Sequence, residues 1–243
     1  MWGLVEHFMN ALFPPLCRVC RCGLTPPFDA SRVCDACLRK IRLLQPPYCP
    51  TCGRPVATDA LSPRLKTCEG CPPTKIYFDM ARAWLEYGGV TADLIKLLKF
   101  RYKKDILPML VDFLLRAYED QYKEISFDLI MPVPLHWMRL RYREFNQSEL
   151  LATALGGTVG VDVELEALCR IRRTPPQAQQ SRDKRYSNVR GAFDVVVPEA
   201  VHGKSILMVD DVYTTGTTVN ECARVLKLAG ASRVYILTIA RAL

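Results

Sequence analysis

The strongest constraint on the fold lies at residues 205–226, where an apolar run passes into an acidic and threonine-rich turn. Residues 206–209 read Ile-Leu-Met-Val, and an uninterrupted apolar run of this kind is typical of a strand covered on both faces in a parallel sheet. Asp210 and Asp211 follow directly, at the carboxyl end of that strand, which is where open α/β sheets bind their ligands. The segment therefore predicts an α/β fold with a ligand site at these two acids.

The turn that follows the acids has the composition of an anion site. It places four threonines around one glycine, and a helical segment begins within it: Thr214, Thr215, Gly216, Thr217 and Thr218. The N–H groups of a first helical turn, the helix dipole and hydroxyl donors all favour a negatively charged ligand. The alternative is a turn with a helix N-cap, but a cap needs one such residue rather than two acids and four threonines. We therefore expect a phosphate to bind here.

Segments of strand and helix length alternate from about residue 76 onward, which is typical of an α/β domain. Helices are predicted at 90–100, 106–122 and 145–155. The third is expected to stop at Gly156 and Gly157. Strands are predicted at 77–87 (alternatively a hairpin), 129–133 and 193–197, the last closed by Pro198. The ranges 205–212, 217–229 and 233–239 read as strand, helix and strand, for which a parallel, right-handed unit is expected. The sequence thus predicts a parallel sheet flanked by helices.

Residues 1–75 differ in character, because they are rich in cysteine, proline and turn residues. Nine of the eleven cysteines lie within the first 71 residues, and eight of them form four Cys-x2-Cys pairs: Cys17 and Cys20, Cys34 and Cys37, Cys49 and Cys52, Cys68 and Cys71. Each pair can turn both sulfurs onto one ion, and two pairs complete a tetrahedral thiolate site for zinc. We predict an N-terminal helix and double zinc ribbon at 1–75, followed by a larger domain at 76–243.

Sequential pairing assigns the first two pairs to one zinc ion and the last two to a second. Interleaved pairing is the open alternative, and Cys22 can substitute for Cys20 at the first site. No histidine or carboxylate is spaced as a catalytic ligand, so both zinc sites are expected to be structural. A segment with so small a core needs the folding energy that such ions supply.

The charge and hydropathy of the chain bound its surroundings. No apolar run reaches the length of a membrane span, and the first residues lack the basic start and cleavage site of a signal peptide, so no membrane insertion and a cytoplasmic location are expected. The net charge of +8 is concentrated in residues 96–104 and 170–190. Such segments suit anionic partners, either small phosphates or a nucleic acid; the alternative is a solvated face.

Three motifs in the second part resemble a known family. The string ILMVDDVYTTGTT resembles the motif with which type I phosphoribosyltransferases bind phosphoribosyl pyrophosphate (PRPP). The strings MPVPLHWMRLRYREFNQSELLA and RRTPPQAQQSRDKRYSNVRGAF resemble segments of the ComF family of competence proteins, in which cysteine pairs also come first. The resemblance covers nearly the whole chain.

The resemblance implies a role for each segment. Asp210 and Asp211, as catalytic residues, are expected to hold the ribose and a Mg²⁺ ion, while residues 214–218 hold the 5′-phosphate of PRPP. Residues 132–135 are expected to form the pyrophosphate loop. Residues 172–185 are expected to form a mobile loop that closes over the ligand through Arg172, Arg173 and Arg185.

The resemblance implies a PRPP-binding, Mg²⁺-dependent phosphoribosyltransferase with an unknown acceptor, linked to DNA uptake in natural transformation and to proteins of the uptake machinery. A second hypothesis is a single-stranded DNA-binding protein that keeps a non-catalytic PRPP-binding fold, since aromatic residues are interleaved with the basic ones. A third is a regulator that senses PRPP without contacting DNA. The sequence leaves all three open.

Overall fold

A parallel sheet of four strands forms the centre of the molecule. The computed structural model describes residues 15–24, 31–57, 67–72, 74–100, 104–143, 145–172 and 189–243. The strands are β1 (Met80–Glu86), β2 (Leu129–Pro132), β5 (Ser205–Tyr213) and β6 (Arg233–Arg241), in the spatial order β1-β6-β5-β2. A separate antiparallel pair joins β3 (Leu168–Arg170) to β4 (Phe193–Val195). The predicted fold class, a parallel sheet with flanking helices, is confirmed.

Helices cover both faces of the sheet. They are α1 (Asp35–Leu38), α2 (Gly89–Phe100), α3 (Leu107–Gln121), α4 (Trp137–Arg143), α5 (Gln147–Val159), α6 (Pro198–Val201) and α7 (Thr217–Leu228), with a 3-10 turn at Lys104–Ile106. Alternate residues of β5 face opposite cores: Leu207 packs with α2, α3 and α5, whereas Ile206 and Met208 pack with α7. The strand is buried on both faces because its apolar run has no polar alternation.

Helix α5 runs further than its glycines predicted. It continues through Gly156 and Gly157 to Val159 and ends where Gly160 adopts a left-handed conformation with φ of 72°. Gly156 is required by packing, since a Cβ there would collide with the side chain of Val163 and lie 2.8 Å from the carbonyl oxygen of Val161. The prediction that the helix stops at these two glycines is therefore wrong.

The strand predicted at 193–197 is shorter, because β4 ends at Val195. Pro198 does not close it but lies in the first turn of α6, where a residue without an N–H is tolerated. Pro108 likewise lies in the first turn of α3. None of the helices in the described part of the chain combines the length and the apolar character that crossing a membrane requires.

The cysteine-rich segment packs along the outer edge of β1. The backbone N–H of Leu44 donates to the carbonyl of Trp84 at 3.0 Å, and that of Glu86 donates to Arg42 at 2.9 Å. Further along, the N–H of Ala81 donates to Thr51 at 2.7 Å. These bonds cover an edge that would otherwise expose unpaired backbone groups. The division of the chain at residues 75 and 76 stays a prediction.

Candidate phosphate and sugar site

Asp210 and Asp211 lie at the carboxyl end of β5, on the wall of a cavity of about 640 Å³. Its other walls come from four directions: the loop after β5 (residues 214–218), the loop after β2 (133–135), the end of β6 (241–243) and the cysteine-rich segment (Arg54 and Gly70). Lys99, Gln147 and Arg170 also line the cavity. The predicted acids, threonines and Gly216 thus meet in one cavity at the sheet edge where α/β folds bind ligands.

We call Asp210 and Asp211 together the acid edge. Three side chains contact it. The hydroxyl of Ser148 donates to Oδ1 of Asp210 at 2.8 Å, and Nε2 of Gln147 donates to Oδ2 of Asp211 at 3.1 Å. Nζ of Lys99 forms an ion pair with the same Asp211 oxygen at 2.7 Å. Gln147 and Ser148 reach the acids because Asn146 caps α5, its side chain accepting the N–H of Ser148.

The acid edge carries less negative charge than two free carboxylates would. Removal from water, followed by the adjacent charge of Asp211, raises the pKa of Asp210 from 3.8 to about 7, although Lys99 and Ser148 act in the opposite direction. The side chain of Asp211 is only 6% exposed and is paired with Lys99. Asp210 therefore exchanges its proton near neutral pH, and the charge of Asp211 is balanced within the protein.

Residues 214–218, which we call the threonine loop, lead directly into α7. Gly216 precedes the helix in a left-handed conformation with φ of 73°, and a Cβ at this position would collide with the ring hydroxyl of Tyr213. No side chain caps α7; instead, the hydroxyls of Thr215 and Thr217 hydrogen-bond each other at 2.8 Å. The first-turn N–H groups of a helix have no partner within the helix, so this turn suits an anion.

Of the three predicted arginines, only Arg172 lies within the described residues. Arg172 is exposed and is not among the lining residues; its Nη2 donates to the carbonyl of Arg190 at 2.7 Å. Arg173 and Arg185 lie outside the described residues. Arg170, which the sequence did not single out, is buried, lines the cavity and stacks over Phe193.

Cluster two consists of Cys49, Cys52, Cys68 and Cys71, whose sulfurs all lie within 4.8 Å of one another. The sulfurs of Cys49 and Cys71 are 3.8 Å apart, and those of Cys52 and Cys68 are 3.5 Å apart. A tetrahedral thiolate site with zinc–sulfur bonds of about 2.3 Å requires sulfurs about 3.8 Å apart. The residues of this cluster therefore fit a zinc ion.

Cluster one consists of Cys17, Cys20, Cys22, Cys34 and Cys37. Four of its sulfurs, those of Cys17, Cys20, Cys22 and Cys34, lie within 4.8 Å of one another, and the sulfur of Cys37 lies 3.9 Å from that of Cys17. Five thiols are thus available for four zinc positions in cluster one. The cysteines of the two clusters come from separate pairs in chain order, and the four thiols that hold zinc in cluster one stay a prediction.

Arg241 connects cluster two to the cavity. Its guanidinium is buried, donates to the carbonyls of Cys52 and Gly70, and contacts the sulfur of Cys52 at 3.3 Å. The same group stacks over the ring of Tyr213, 4.3 Å from its centroid. Because the Tyr213 ring packs beneath Gly216, one arginine links a zinc ligand to the threonine loop.

Several residues of this site were not predicted from the sequence. Gln147 lies within a motif that was noticed, but its place at the acid edge depends on how α5 begins. Lys99 was counted only as part of a basic segment, and nothing in its local sequence points to Asp211. Arg241 gives no sequence signal, because its partners are 28 residues or more away along the chain.

Two family models and several known proteins are similar to this chain. Residues 8–72 match the family described as the double zinc ribbon domain, and residues 148–243 match the phosphoribosyl transferase domain. Adenine phosphoribosyltransferase from Saccharomyces cerevisiae is a similar solved structure, with a TM-score of 0.37, 15% identity and coverage of 57% of this chain and 69% of that one.

Two relatives match over most of their length. The DNA utilization protein YhgH of Salmonella typhimurium is 32% identical over 234 residues, which cover 95% of this chain and 98% of that protein. Competence protein F of Haemophilus influenzae is 28% identical over 214 residues, covering 86% of this chain and 90% of that protein. The chain therefore belongs to the ComF family, in which a double zinc ribbon is joined to a phosphoribosyltransferase domain.

Proposed function

We propose that the cavity binds PRPP and that the protein is a phosphoribosyltransferase whose acceptor is still to be identified. The observation that supports this most strongly is the meeting of the acid edge and the threonine loop in one cavity. A volume of about 640 Å³ lies within the range of small-molecule sites, roughly 300–1,000 Å³. The two parts suit the two ends of a ribose phosphate: hydroxyls at the acids and a phosphate at the helix start.

Each part of the cavity has a role in this proposal. The threonine loop holds the 5′-phosphate through first-turn N–H groups and hydroxyls. Asp210 and Asp211 accept hydrogen bonds from the 2′ and 3′ hydroxyls and so orient the sugar. Residues 133–135, which follow β2 beside the end of β5, line the same cavity and form the pyrophosphate wall, with Arg170 also in the lining to balance its charge.

Transfer would replace the bond from C1 of the ribose to pyrophosphate by a bond to the acceptor, and pyrophosphate would leave with the electron pair. The protein contributes mainly position and electrostatics to such a reaction. Positive charge develops on the sugar in the transition state, and the carboxyl oxygens of the acid edge stabilise it. Arg172, Arg173 and Arg185 are proposed to close over the pyrophosphate, which keeps water from the reacting carbon.

The metals have different roles in this proposal. Zinc ions at the two cysteine clusters would be structural, because four thiolates leave no open position for a substrate. Mg²⁺ would enter with the pyrophosphate group of PRPP, whose charge it neutralises. Carboxylate oxygens suit Mg²⁺ in kind, but Lys99 already occupies Oδ2 of Asp211. The acids are therefore proposed to hold sugar hydroxyls.

Titration of PRPP into the protein by calorimetry tests the proposal. We expect the double variant Asp210→Asn, Asp211→Asn to bind at least about a hundredfold more weakly, since two hydrogen bonds to charged groups contribute roughly 3 kcal/mol or more. Asp112→Asn is the control, because Asp112 is exposed on α3 and pairs with Arg116. Equal PRPP affinity in the double variant and the control would refute the assignment.

A second function, single-stranded DNA binding, is supported by the names of the relatives, which refer to DNA utilization and competence. We propose it as an addition to PRPP binding, together with contacts to DNA-uptake proteins and a cytoplasmic location. Affinity for an oligonucleotide of thymidines should fall linearly with salt on logarithmic axes. Absence of DNA binding together with PRPP binding but no turnover would instead favour a PRPP-sensing regulator.

A further inference from the structure

Helix α2 places Lys99 at the acid edge, and the helix itself is packed against the core. Its apolar face is buried through Leu94, Ile95 and Leu98, so the helix cannot shift easily relative to the sheet. Lys99 lies in its last turn, where the helix dipole favours a cation. The ammonium reaches Asp211 at 2.7 Å, and the lysine side chain is 20% exposed at the cavity wall. The ion pair is thus part of the built site rather than a surface contact.

Part of the negative charge at the acid edge is already balanced without a metal. Lys99 neutralises Asp211 through an ion pair at 2.7 Å. A divalent cation bound directly at Asp211 would have to displace an ammonium that is 2.7 Å away and held by a buried carboxylate. Mg²⁺ demands near-octahedral oxygen ligands and is usually bound through one or two carboxylates plus substrate phosphates. At the acid edge, Oδ2 of Asp211 is already paired with Lys99 and Gln147 and does not offer such a ligand.

The acid edge can still bind a sugar. One oxygen of each carboxylate accepts a hydrogen bond from the protein, at 2.8 Å for Asp210 and 3.1 Å for Asp211, and both acids line the cavity in which the ligand hydroxyls are proposed to lie. An ammonium has three N–H donors, and one of them is directed at Asp211. The remaining donors lie at the cavity wall and suit an oxygen of the sugar or of its leaving group.

We propose that Lys99 takes the place of a directly bound divalent cation, so that the ribose 5-phosphate part of the ligand binds without any divalent ion. Lys99 acts as a positioning residue, which holds the Asp211 carboxylate in place for the ribose hydroxyls through the ion pair. Magnesium then affects only the pyrophosphate part of PRPP. This inference rests on the proposed PRPP site and specifies how its sugar half works.

Calorimetric titration with ribose 5-phosphate tests the inference, because this probe lacks the pyrophosphate. Buffers are freed of Mg²⁺ with a chelating resin rather than a soluble chelator, so that zinc stays in the protein. We expect the affinity to change by less than about twofold when Mg²⁺ is added, since no ion pair is gained. PRPP, in contrast, should bind more tightly with Mg²⁺.

Variants at residue 99 give the sharper readout. Lys99→Met keeps the length of the side chain but removes the charge, and should weaken binding of ribose 5-phosphate about tenfold in Mg²⁺-free buffer. It should also make binding Mg²⁺-dependent, because the unpaired acids then accept the ion. Lys99→Arg should retain most of the metal-free affinity. Lys96→Met, one turn earlier on an exposed site, is the matched control and should behave as wild type.

The outcomes separate this inference from the proposed function. If wild-type protein needs Mg²⁺ for ribose 5-phosphate, or if Lys99→Met binds the probe as tightly as wild type without Mg²⁺, the role of Lys99 is overturned while the PRPP site stands. If neither ribose 5-phosphate nor PRPP binds under any condition, the proposed function itself fails. A thermal melt of each variant identifies a loss of folding. If Lys99→Met does not fold, the metal-free affinity of Lys99→Arg for ribose 5-phosphate tests the inference instead, and most of the wild-type affinity should be retained.

Discussion

Clusters one and two are each built from two Cys-x2-Cys pairs but have different surroundings. In cluster one, Cys20 and Cys22 are exposed, and the cluster packs through Cys17 and Cys37 into the core shared by α2 and α3. In cluster two, three of the four cysteines are buried, and the cluster forms part of the cavity wall through Gly70 and its neighbour Arg54. The same motif therefore braces the helices at one site and shapes the ligand cavity at the other.

The difference arises from what each cluster touches rather than from its ligands. Cluster two lies against the ends of β5 and β6, and Arg241 bonds to it directly. Cluster one is tied to the 3-10 turn by an ion pair of Arg18 with Asp105. We conclude that loss of zinc from cluster two should disturb ligand binding, whereas loss from cluster one should mainly lower the free energy of unfolding.

The largest expected difference between the clusters appears when one thiol is removed from each. Cys52→Ser should lose one zinc ion and destabilise the protein by on the order of 5 kcal/mol or more, since structural zinc contributes roughly 10–16 kcal/mol in small peptides. Cys20→Ser should keep both ions, because four thiols remain in cluster one. Zinc content by mass spectrometry and thermal unfolding check this. Equal losses in the two variants would erase the proposed difference between the clusters.

A smaller effect is expected from the arginine attached to each cluster. Arg241→Gln removes the hydrogen bonds to cluster two and the stacking on Tyr213, at a cost of roughly 2–4 kcal/mol, and should weaken PRPP binding. Arg18→Gln removes a partly exposed ion pair, at a cost of about 1 kcal/mol, and should leave PRPP affinity unchanged. Zinc release to a coloured chelator and PRPP titration separate the two. Wild-type PRPP affinity in Arg241→Gln would show that cluster two does not support the loop.

The smallest effect distinguishes one glycine in each cluster. Gly53 has φ of 69°, and a Cβ there would lie 2.5 Å from the carbonyl oxygen of Ala81, so Gly53→Ala should cost roughly 1–3 kcal/mol. Gly23 has no atom within 4 Å of such a Cβ, and Gly23→Ala should be close to neutral. Denaturant unfolding measures both. A neutral Gly53→Ala would mean that cluster two is held more loosely against β1.

The sequence predicted the features that depend on local pattern. The apolar run before Asp210 and the four cysteine pairs indicated a buried parallel strand and two thiolate clusters without any knowledge of partners. It misplaced the end of α5, because Gly156 is required by contact with Val163, whose position follows from the tertiary fold. It did not predict the roles of Lys99 and Arg241, since ion pairs and stacking between distant segments produce no periodic pattern in the sequence. The shared Cys-x2-Cys pattern likewise hid the different roles of the clusters.

Hydrogen exchange with and without saturating PRPP tests the central claim most directly, because it locates the ligand on the backbone. We expect slowed exchange at residues 210–218 and, through Arg241, at residues 49–54 and 68–72, with no change at residues 31–38 of cluster one. Slowed exchange confined to other segments, or unchanged exchange at residues 210–218 under conditions where PRPP is bound, would contradict a phosphate site at the start of α7.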